Sequence, residues 1–487
     1  MACNLIVMIA DGLGFNGWLA SDYYWHGRAA ANPYQQALPG VPRVCLGMSH
    51  GSLRFVDATG HPVAHDGSLL PAGAVGFEPQ HYEPERRWER FEGSFAMDFP
   101  PVAVPYASYT DSAAAATALF SGRTTTDGRL NHSWDGTERF TTIAELARRA
   151  GLGAGVVSTV QACHATPAGV MAHSLSRNNL EAIFRELVGS GLEVVMGAGH
   201  PDYDDSGRLR DSPDHGQVGG GVHWGELQLA NRRGKLRLMD HRDQFEQLAA
   251  GVDLPHRVVG IPRAGNTLQA YRKGFPADDY LPDGMARNPA VPDLATLSRG
   301  ALNVLNQRDD GFFLLVEGGA VDWMNHGNRF PRMLEEHEDF NRAVVAVMNW
   351  ITENTSWEET LLVVTADHEC GGLWGEGSFR PHPEWWGYHP DLTPFLGFQP
   401  VANRGRGILP AVQYATGNHT SDLVPLWAMG RGADGFLDRV IGVDPMAARL
   451  WGEGYGWDGR YVHTTDVFRV LRRELQVATT PHAEPVT

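Results

Sequence analysis

Cysteine is scarce in this 487-residue chain, and its four cysteines stand far apart in the sequence. Because none of them forms a C-x-x-C pair, we expect neither a disulfide scaffold nor a zinc site built from thiolates. The chain also lacks any run of about 18 apolar residues, so no membrane span is predicted. No signal peptide is visible, since Met1 leads almost directly into a predicted strand, and a cytoplasmic location stays open.

Positive charge is also in short supply. The chain has 40 lysines and arginines against 57 aspartates and glutamates, which gives a formal net charge of −17. This balance argues against nucleic acid as a partner. An acidic protein that binds an anion must concentrate positive charge locally, and bound metal ions are one way to do so.

Short apolar runs alternate with helical patterns along most of the chain. Strands are predicted at 5–12, 153–160, 194–199, 312–319, 361–369 and 424–430. Helices are predicted after Ser112 and at 141–150, 180–189 and 334–350. This alternation indicates an α/β fold, with a large, mostly parallel central sheet and helices on both faces. We interpret segments 20–105, 201–298 and 373–415 as surface excursions from a single domain of residues 1–487.

The stretch YTDSAAAATALFSG (109–122) predicts a helix. Asp111 and Ser112 are favoured N-cap residues ahead of an alanine run, and Gly122 suits the C-terminal end. A hydroxyl at a helix N-terminus faces free backbone N–H groups and the positive end of the helix dipole, which favours anion binding. The stretch is either an ordinary capped helix or part of an anion-binding site, and the other motifs of the chain are needed to distinguish these two interpretations.

Potential zinc ligands follow several of the apolar runs. Asp322 and His326 are spaced so that both side chains share one face of a helix. Asp367 and His368 lie in ADHE (366–369), and His419 lies in GNHT. Taken alone, a pair such as Asp322 and His326 more often lies on a solvated helix face than at a metal ion. A single loop histidine such as His419 usually has no functional role. Together they supply the nitrogen and oxygen ligands that suit zinc.

Two further carboxylates end predicted strands. Asp11 closes the first apolar run, and Glu317 lies near the end of the run at 312–319. In parallel sheets, ligands bind beyond the carboxyl ends of the strands, so these side chains are expected near the zinc ligands. Carboxylate oxygens are harder ligands that suit magnesium.

The motifs resemble those of alkaline phosphatases, and they occur in the same order. They are ADG, TDSAAAATA, HATPAGVMAH (164–173), VEGGAVDWMNHG, TADHECGG, GNHT and YVHTTDVFRVL (461–471). The resemblance implies a hydrolase that cleaves phosphate monoesters through a phosphoserine intermediate. It also implies a homodimer and a periplasmic or extracellular location.

The resemblance assigns the groups that would act on the phosphate. Ser112 would be the nucleophile, and this role would explain the serine at the start of the alanine helix. Arg177 would bind the phosphate oxygens. Asp111 would orient that arginine, with a plain N-cap role as the alternative. His164 and Trp323 occupy positions that vary within the family, near the magnesium and the bound phosphate. His164 would bind a third zinc in place of magnesium, or would simply be hydrogen-bonded in a polar loop.

The resemblance also implies ligands for two Zn²⁺ ions and one Mg²⁺ ion. The first zinc would be held by Asp322, His326 and His419. The second zinc would be held by Asp11, Asp367, His368 and Ser112. The magnesium would be held by Asp11, Thr166 and Glu317.

Other hydrolases of the same superfamily are the nearest alternatives: phosphodiesterases, phosphonate hydrolases, sulfatases and phosphoglycerate mutases. The sulfatase pattern C/S-x-P-x-R is absent around Ser112. Diesterases commonly use threonine as the nucleophile and lack the arginine. A metal- or phosphate-binding protein without activity is disfavoured, because the nucleophile and every implied ligand are present.

Overall fold

The computed structural model describes residues 2–59, 109–273, 281–378 and 399–479, with short pieces between residues 62 and 95. Eleven strands of this described chain form one sheet. They are β1 (Cys3–Ala10), β2 (Arg43–Ser49), β3 (Gly153–Gln161), β4 (Val194–Ala198), β5 (Arg237–Met239), β6 (Val258–Gly260), β7 (Gly311–Gly318), β8 (Thr360–Thr365), β9 (Val424–Gly430), β10 (Gly442–Val443) and β11 (Arg460–His463).

The sheet is mostly parallel and runs in the order β5-β6-β4-β3-β7-β1-β8-β9-β2-β11-β10. All neighbours from β5 to β8 are parallel, whereas β9 is antiparallel to both β8 and β2. Every residue of β1, β7 and β8 is buried, which explains why these strands are continuous apolar runs. The predicted α/β fold with a mostly parallel sheet is confirmed.

Ten longer helices accompany this sheet in the described residues. They are α1 (Phe15–His26), α2 (Ser112–Ser121), α3 (Ile143–Arg149), α4 (Leu180–Gly189), α5 (Gly221–Arg232), α6 (Arg242–Ala249), α7 (Leu294–Leu305), α8 (Ala320–His326), α9 (Phe330–Asn354) and α10 (Thr465–Thr479). α10 packs on α2 and α3, and α9 packs on α7 and α1. Across the ranges given above, none of the helices has the length and apolar character that a membrane crossing requires.

Segments that sequence analysis treated as excursions contribute to the sheet. β2 falls within 20–105, and the short strands β5 and β6 fall within 201–298. These strands were missed because a three-residue strand is too short to show a period, and β2 mixes polar and small residues with apolar ones. Much of the third segment, 373–415, lies outside the described residues. A single domain over 1–487 stays a prediction.

Candidate metal centre and phosphate-binding cleft

The predicted ligands meet beyond the carboxyl ends of three adjacent central strands. Asp11 directly follows β1, Glu317 lies near the end of β7, and Asp367 and His368 follow β8. β7, β1 and β8 are neighbours in the sheet, and they are parallel. Their carboxyl ends therefore share one edge, and residues far apart in sequence come into contact there.

One group of ligands surrounds His368. The ligand atoms of Asp11, Asp367 and His368 all lie within 4.8 Å of one another. His368 Nε2 is 3.1 Å from Asp367 Oδ2 and 3.8 Å from Asp11 Oδ1. Ser112 Oγ lies 3.1 Å from the same nitrogen. All four side chains are buried, so one cation at this point can contact each of them.

A second group surrounds Asp322. Its Oδ2 lies 3.3 Å from His326 Nε2, its Oδ1 lies 3.6 Å from His419 Nε2, and the two imidazole nitrogens are 3.1 Å apart. The helix α8 carries Asp322 and His326 on one face, as their spacing predicts. Cys370 Sγ also belongs to this group and donates to the backbone oxygen of Asp322 at 3.9 Å. Sequence analysis gave Cys370 no role at the site, because the family resemblance assigns none to it.

The expected magnesium ligands contact one another beside the first group. Thr166 Oγ1, in the short helix Ala165–Ala168, donates to Asp11 Oδ2 at 3.0 Å. The Glu317 carboxylate lies close enough to Asp11 to act on it electrostatically. Glu317 also accepts a short hydrogen bond from Ser158, which the sequence did not single out. Ser158 is a buried strand residue, and only the pairing of β3 with β7 brings it to Glu317.

Several carboxylate oxygens of these ligand groups are buried and accept no hydrogen bond from the described residues. Asp11 Oδ1, Glu317 Oε1 and Asp322 Oδ1 are buried without a hydrogen-bond partner. Burial and the nearby Asp367 raise the pKa of Asp11 well above its ordinary value. Burial also raises the pKa of Glu317 to about 8. Carboxylates that repel one another in a buried place are stabilised by cations, so these residues fit divalent metal ions.

The helix α2 delivers Ser112 to this centre. Asp111 caps the helix, because its Oδ1 accepts the Ala114 N–H at 2.9 Å. Gly122 ends the helix with a left-handed φ of 68°. Ala116 faces Gly169 so closely that a Cβ on this glycine would lie 2.6 Å from the alanine Cβ. The stretch is therefore a capped helix and also places Ser112 at the ligand groups.

Arg177 lies beside the N-cap of α2 and is held by two partners. Its Nη1 donates to Asp111 Oδ2 at 2.9 Å, and its Nη2 is 3.3 Å from His164 Nε2. Burial and the positive charge of Arg177 lower the pKa of His164 to about 3, so His164 is neutral and accepts this hydrogen bond. The His164 ring lies 5.2 Å from that of Trp323. One carboxylate oxygen of Asp111 thus caps α2, and the other accepts from Arg177.

These residues line one cleft of about 490 Å³. Its lining consists of Tyr109, Asp111, Ser112, Asp127, His164, Arg177, Asp322, Trp323, His326, Asn418 and His419. The cleft therefore joins a serine hydroxyl, a guanidinium group and one of the two ligand groups in a single space. Sequence analysis did not predict Tyr109, Asp127 or Asn418 as lining residues. Asp127 lies in a loop with no ligand pattern, and Tyr109 and Asn418 lie in quoted motifs that gave a role only to their neighbours.

Comparison with known proteins matches residues 103–418 to the model of the family described as alkaline phosphatase. The chain belongs to the alkaline phosphatase family. The family expected from the motifs is thereby confirmed.

Alkaline phosphatase 3 of Bacillus subtilis (strain 168) is 30% identical over 274 residues, which cover 55% of this chain and 51% of that protein. The streptomycin-6-phosphate phosphatase of Streptomyces griseus is 31% identical over 294 residues, which cover 53% and 61%. The chain thus spans about half the length of the curated relatives it matches.

Solved alkaline phosphatases share the fold of this family member over nearly its whole length. The Thermus thermophilus enzyme superposes with a TM-score of 0.58 at 19% identity, covering 98% of this chain and 92% of its own. The enzyme from the Antarctic bacterium TAB5 gives a TM-score of 0.55 at 17% identity, covering 97% of each chain. At these identities the similarity establishes the fold alone.

Gly12 of this alkaline phosphatase family member allows a close approach to Asp322, and we expect Gly12→Ala to disturb it. Gly12 has a φ of +69°, and an added Cβ would lie 2.5 Å from Asp322 Oδ1 and 2.9 Å from Asp322 Cα. The left-handed backbone alone costs an alanine about 1–2 kcal/mol. Because the contact also displaces Asp322, we expect the purified variant to retain less divalent metal than the wild type, measured by elemental analysis.

Gly40→Ala is the matched control for this prediction. Gly40 has a φ of +75°, and its added Cβ would have nothing within 4 Å. Both variants should therefore lose thermal stability, whereas only Gly12→Ala should lose metal. Equal metal contents in the two variants would contradict the role of Gly12 beside Asp322.

Proposed function

We propose that the protein hydrolyses phosphate monoesters and releases an alcohol and inorganic phosphate. The observation that carries the proposal is the position of Ser112. Its Oγ lies 3.1 Å from His368 Nε2 in one ligand group, and it lines the same cleft as Arg177 and the second ligand group. Phosphoryl transfer at a two-metal site uses a nucleophile, a positively charged side chain that binds the phosphoryl oxygens, and two adjacent metal ions.

Ser112 would take part in two successive displacements, as the nucleophile in the first and as the leaving group in the second. In the first, its Oγ attacks the phosphorus and the bond from phosphorus to the alcohol oxygen breaks, which leaves a phosphoserine. In the second, water attacks that phosphorus, the bond to Ser112 Oγ breaks, and phosphate is released. The N–H groups at the start of α2 that Asp111 does not cap would stabilise the negative charge of the phosphoryl oxygens.

Arg177 would bind two non-bridging oxygens of the phosphoryl group through its planar fork. Asp111 Oδ2 fixes the guanidinium group at 2.9 Å, so little conformational freedom is lost on binding. His164 accepts from the other side of the same guanidinium group, and Trp323 packs on His164. We therefore propose that His164 and Trp323 support phosphate binding through Arg177.

The ligand groups fit two Zn²⁺ ions and one Mg²⁺ ion. One zinc would be held by Asp322, His326 and His419. The other would be held by Asp11, Asp367, His368 and Ser112. The magnesium would be held by Asp11, Thr166 and Glu317. When bound, these ions would neutralise phosphoryl charge and lower the pKa of the Ser112 hydroxyl and of water.

By family resemblance we also propose that the protein forms a homodimer and acts in the periplasm or outside the cell. Phosphodiester hydrolysis at the same site is the second candidate. It is less well supported, because a diester carries an extra substituent where Arg177 would contact the phosphoryl group.

A substrate panel on one purified sample, with its zinc and magnesium measured, tests the proposed function. We expect p-nitrophenyl phosphate to be hydrolysed at least about 100-fold faster than bis-p-nitrophenyl phosphate and p-nitrophenyl sulfate, because the cleft is built for a dianionic phosphoryl group. Comparable rates for the diester would favour the second candidate. A metal-replete sample that hydrolyses none of the three would refute both.

A further inference from the structure

Three residues that line the cleft have no part in metal or phosphate binding: Tyr109, Asp127 and Asn418. They lie near His419. The Tyr109 ring is 6.0 Å from the His419 ring, Asn418 is its chain neighbour, and the His419 imidazole acts electrostatically on Asp127. Tyr109, Asp127 and Asn418 are called the rim subsite below.

The rim subsite lies where the alcohol would depart. In an in-line displacement the leaving oxygen is opposite the attacking one. Ser112 Oγ lies beside His368 in one ligand group, so the leaving oxygen points toward the other group, which contains His419. Whatever the alcohol carries next to that oxygen therefore meets the residues around His419.

Asp127 supplies the rim subsite with negative charge that is held in place. Its Oδ1 accepts the Asp111 N–H at 3.1 Å, and the buried Ser52 donates its hydroxyl to the same carboxylate. Arg177 pairs with Asp111 instead of with Asp127. Burial and the Asp111 carboxylate raise the pKa of Asp127 to about 7. The carboxyl group is therefore largely ionised only above neutral pH, and there it presents a negative charge to the cleft.

We propose that the rim subsite selects phosphate monoesters whose alcohol carries a positive charge, such as amino alcohols and quaternary ammonium alcohols. The Asp127 carboxylate attracts the cation, the Tyr109 ring lines the same space and can contact it, and the Asn418 amide adds a neutral polar contact. A cationic group next to the departing oxygen fits this combination better than a neutral or anionic one. The inference rests on the proposed function and deepens it.

Phosphocholine and its neutral carbon isostere 3,3-dimethylbutyl phosphate test the inference, because they share shape and differ only in charge. For the wild type we expect kcat/KM to be about tenfold or more higher for phosphocholine. Asp127→Asn should lower this ratio to about threefold, because its amide oxygen still accepts the Asp111 N–H but its charge is gone, while the contact with Tyr109 remains. Tyr109→Leu should lower the ratio by about threefold, the size of one cation–π contact.

Asp309→Asn is the control for the loss of one negative charge. Asp309 is exposed and precedes β7, at the sheet edge opposite the cleft, so the ratio should stay at the wild-type value. A wild-type ratio near one, or an unchanged ratio in Asp127→Asn, would overturn the inference while the proposed function stands. Absence of hydrolysis of both esters and of p-nitrophenyl phosphate would refute the proposed function, and the rim subsite with it.

Discussion

Ser112→Ala is expected to lower kcat/KM for p-nitrophenyl phosphate by about three to five orders of magnitude. The substitution removes the hydroxyl that α2 presents to the metal centre, and loss of a nucleophile has effects of this size or larger in other hydrolases. The fold should persist, because alanine continues the alanine run and Asp111 still caps the helix. Steady-state rates together with unchanged thermal unfolding would establish that the loss is chemical.

Covalent labelling tests the same assignment directly. Wild-type protein incubated with labelled inorganic phosphate and quenched in acid should carry the label on the peptide that contains Ser112. Ser121→Ala is the matched control, because Ser121 lies at the other end of α2 and its hydroxyl bonds to the Thr117 carbonyl. It should keep both label and activity. Label on another peptide, or label retained in Ser112→Ala, would exclude the phosphoserine mechanism.

Arg177→Ser is expected to lower kcat/KM for p-nitrophenyl phosphate by about 30- to 1000-fold. A charge-assisted contact with two oxygens in a partly desolvated cleft contributes about 2–4 kcal/mol. A monoester dianion has three non-bridging oxygens, two of which can meet the guanidinium fork that Asp111 holds. A diester has two such oxygens and an additional substituent that would collide with Arg177. Hydrolysis of bis-p-nitrophenyl phosphate should therefore change far less. Arg177 favours the monoester in two ways, because it attracts the monoester oxygens and sterically excludes the second substituent of the diester.

Two further variants define what Arg177 does. Asp111→Asn keeps a good N-cap but removes the ion pair, so it should give an intermediate loss on the monoester. Arg299→Ser removes an arginine that pairs with Glu353 outside the cleft, and it should have little effect on either substrate. Equal and small losses on both substrates in Arg177→Ser would show that the arginine is structural, and would reopen the diesterase candidate.

The sequence by itself was sufficient to predict the elements at the centre of the sheet. β1, β7 and β8 are continuous apolar runs because both of their faces are covered, and the polar residues at their ends mark one edge of a parallel sheet. α2 was readable from its cap, its alanines and Gly122, and the spacing of Asp322 and His326 is compatible with the helix α8 that carries them. These signals are local, since each depends on residues within a few turns or one strand.

The tertiary structure decided everything that depends on which distant segments become neighbours. The short strands β5 and β6 carry no readable period and take their place from pairing with β4. Only the folded chain shows that Asp111 both caps α2 and binds Arg177. Only the folded chain shows that Asp127 lines the cleft and that Cys370 lies beside Asp322. Such contacts join loops and strand ends far apart in the chain, and sequence periodicity reports only on the packing of each element by itself.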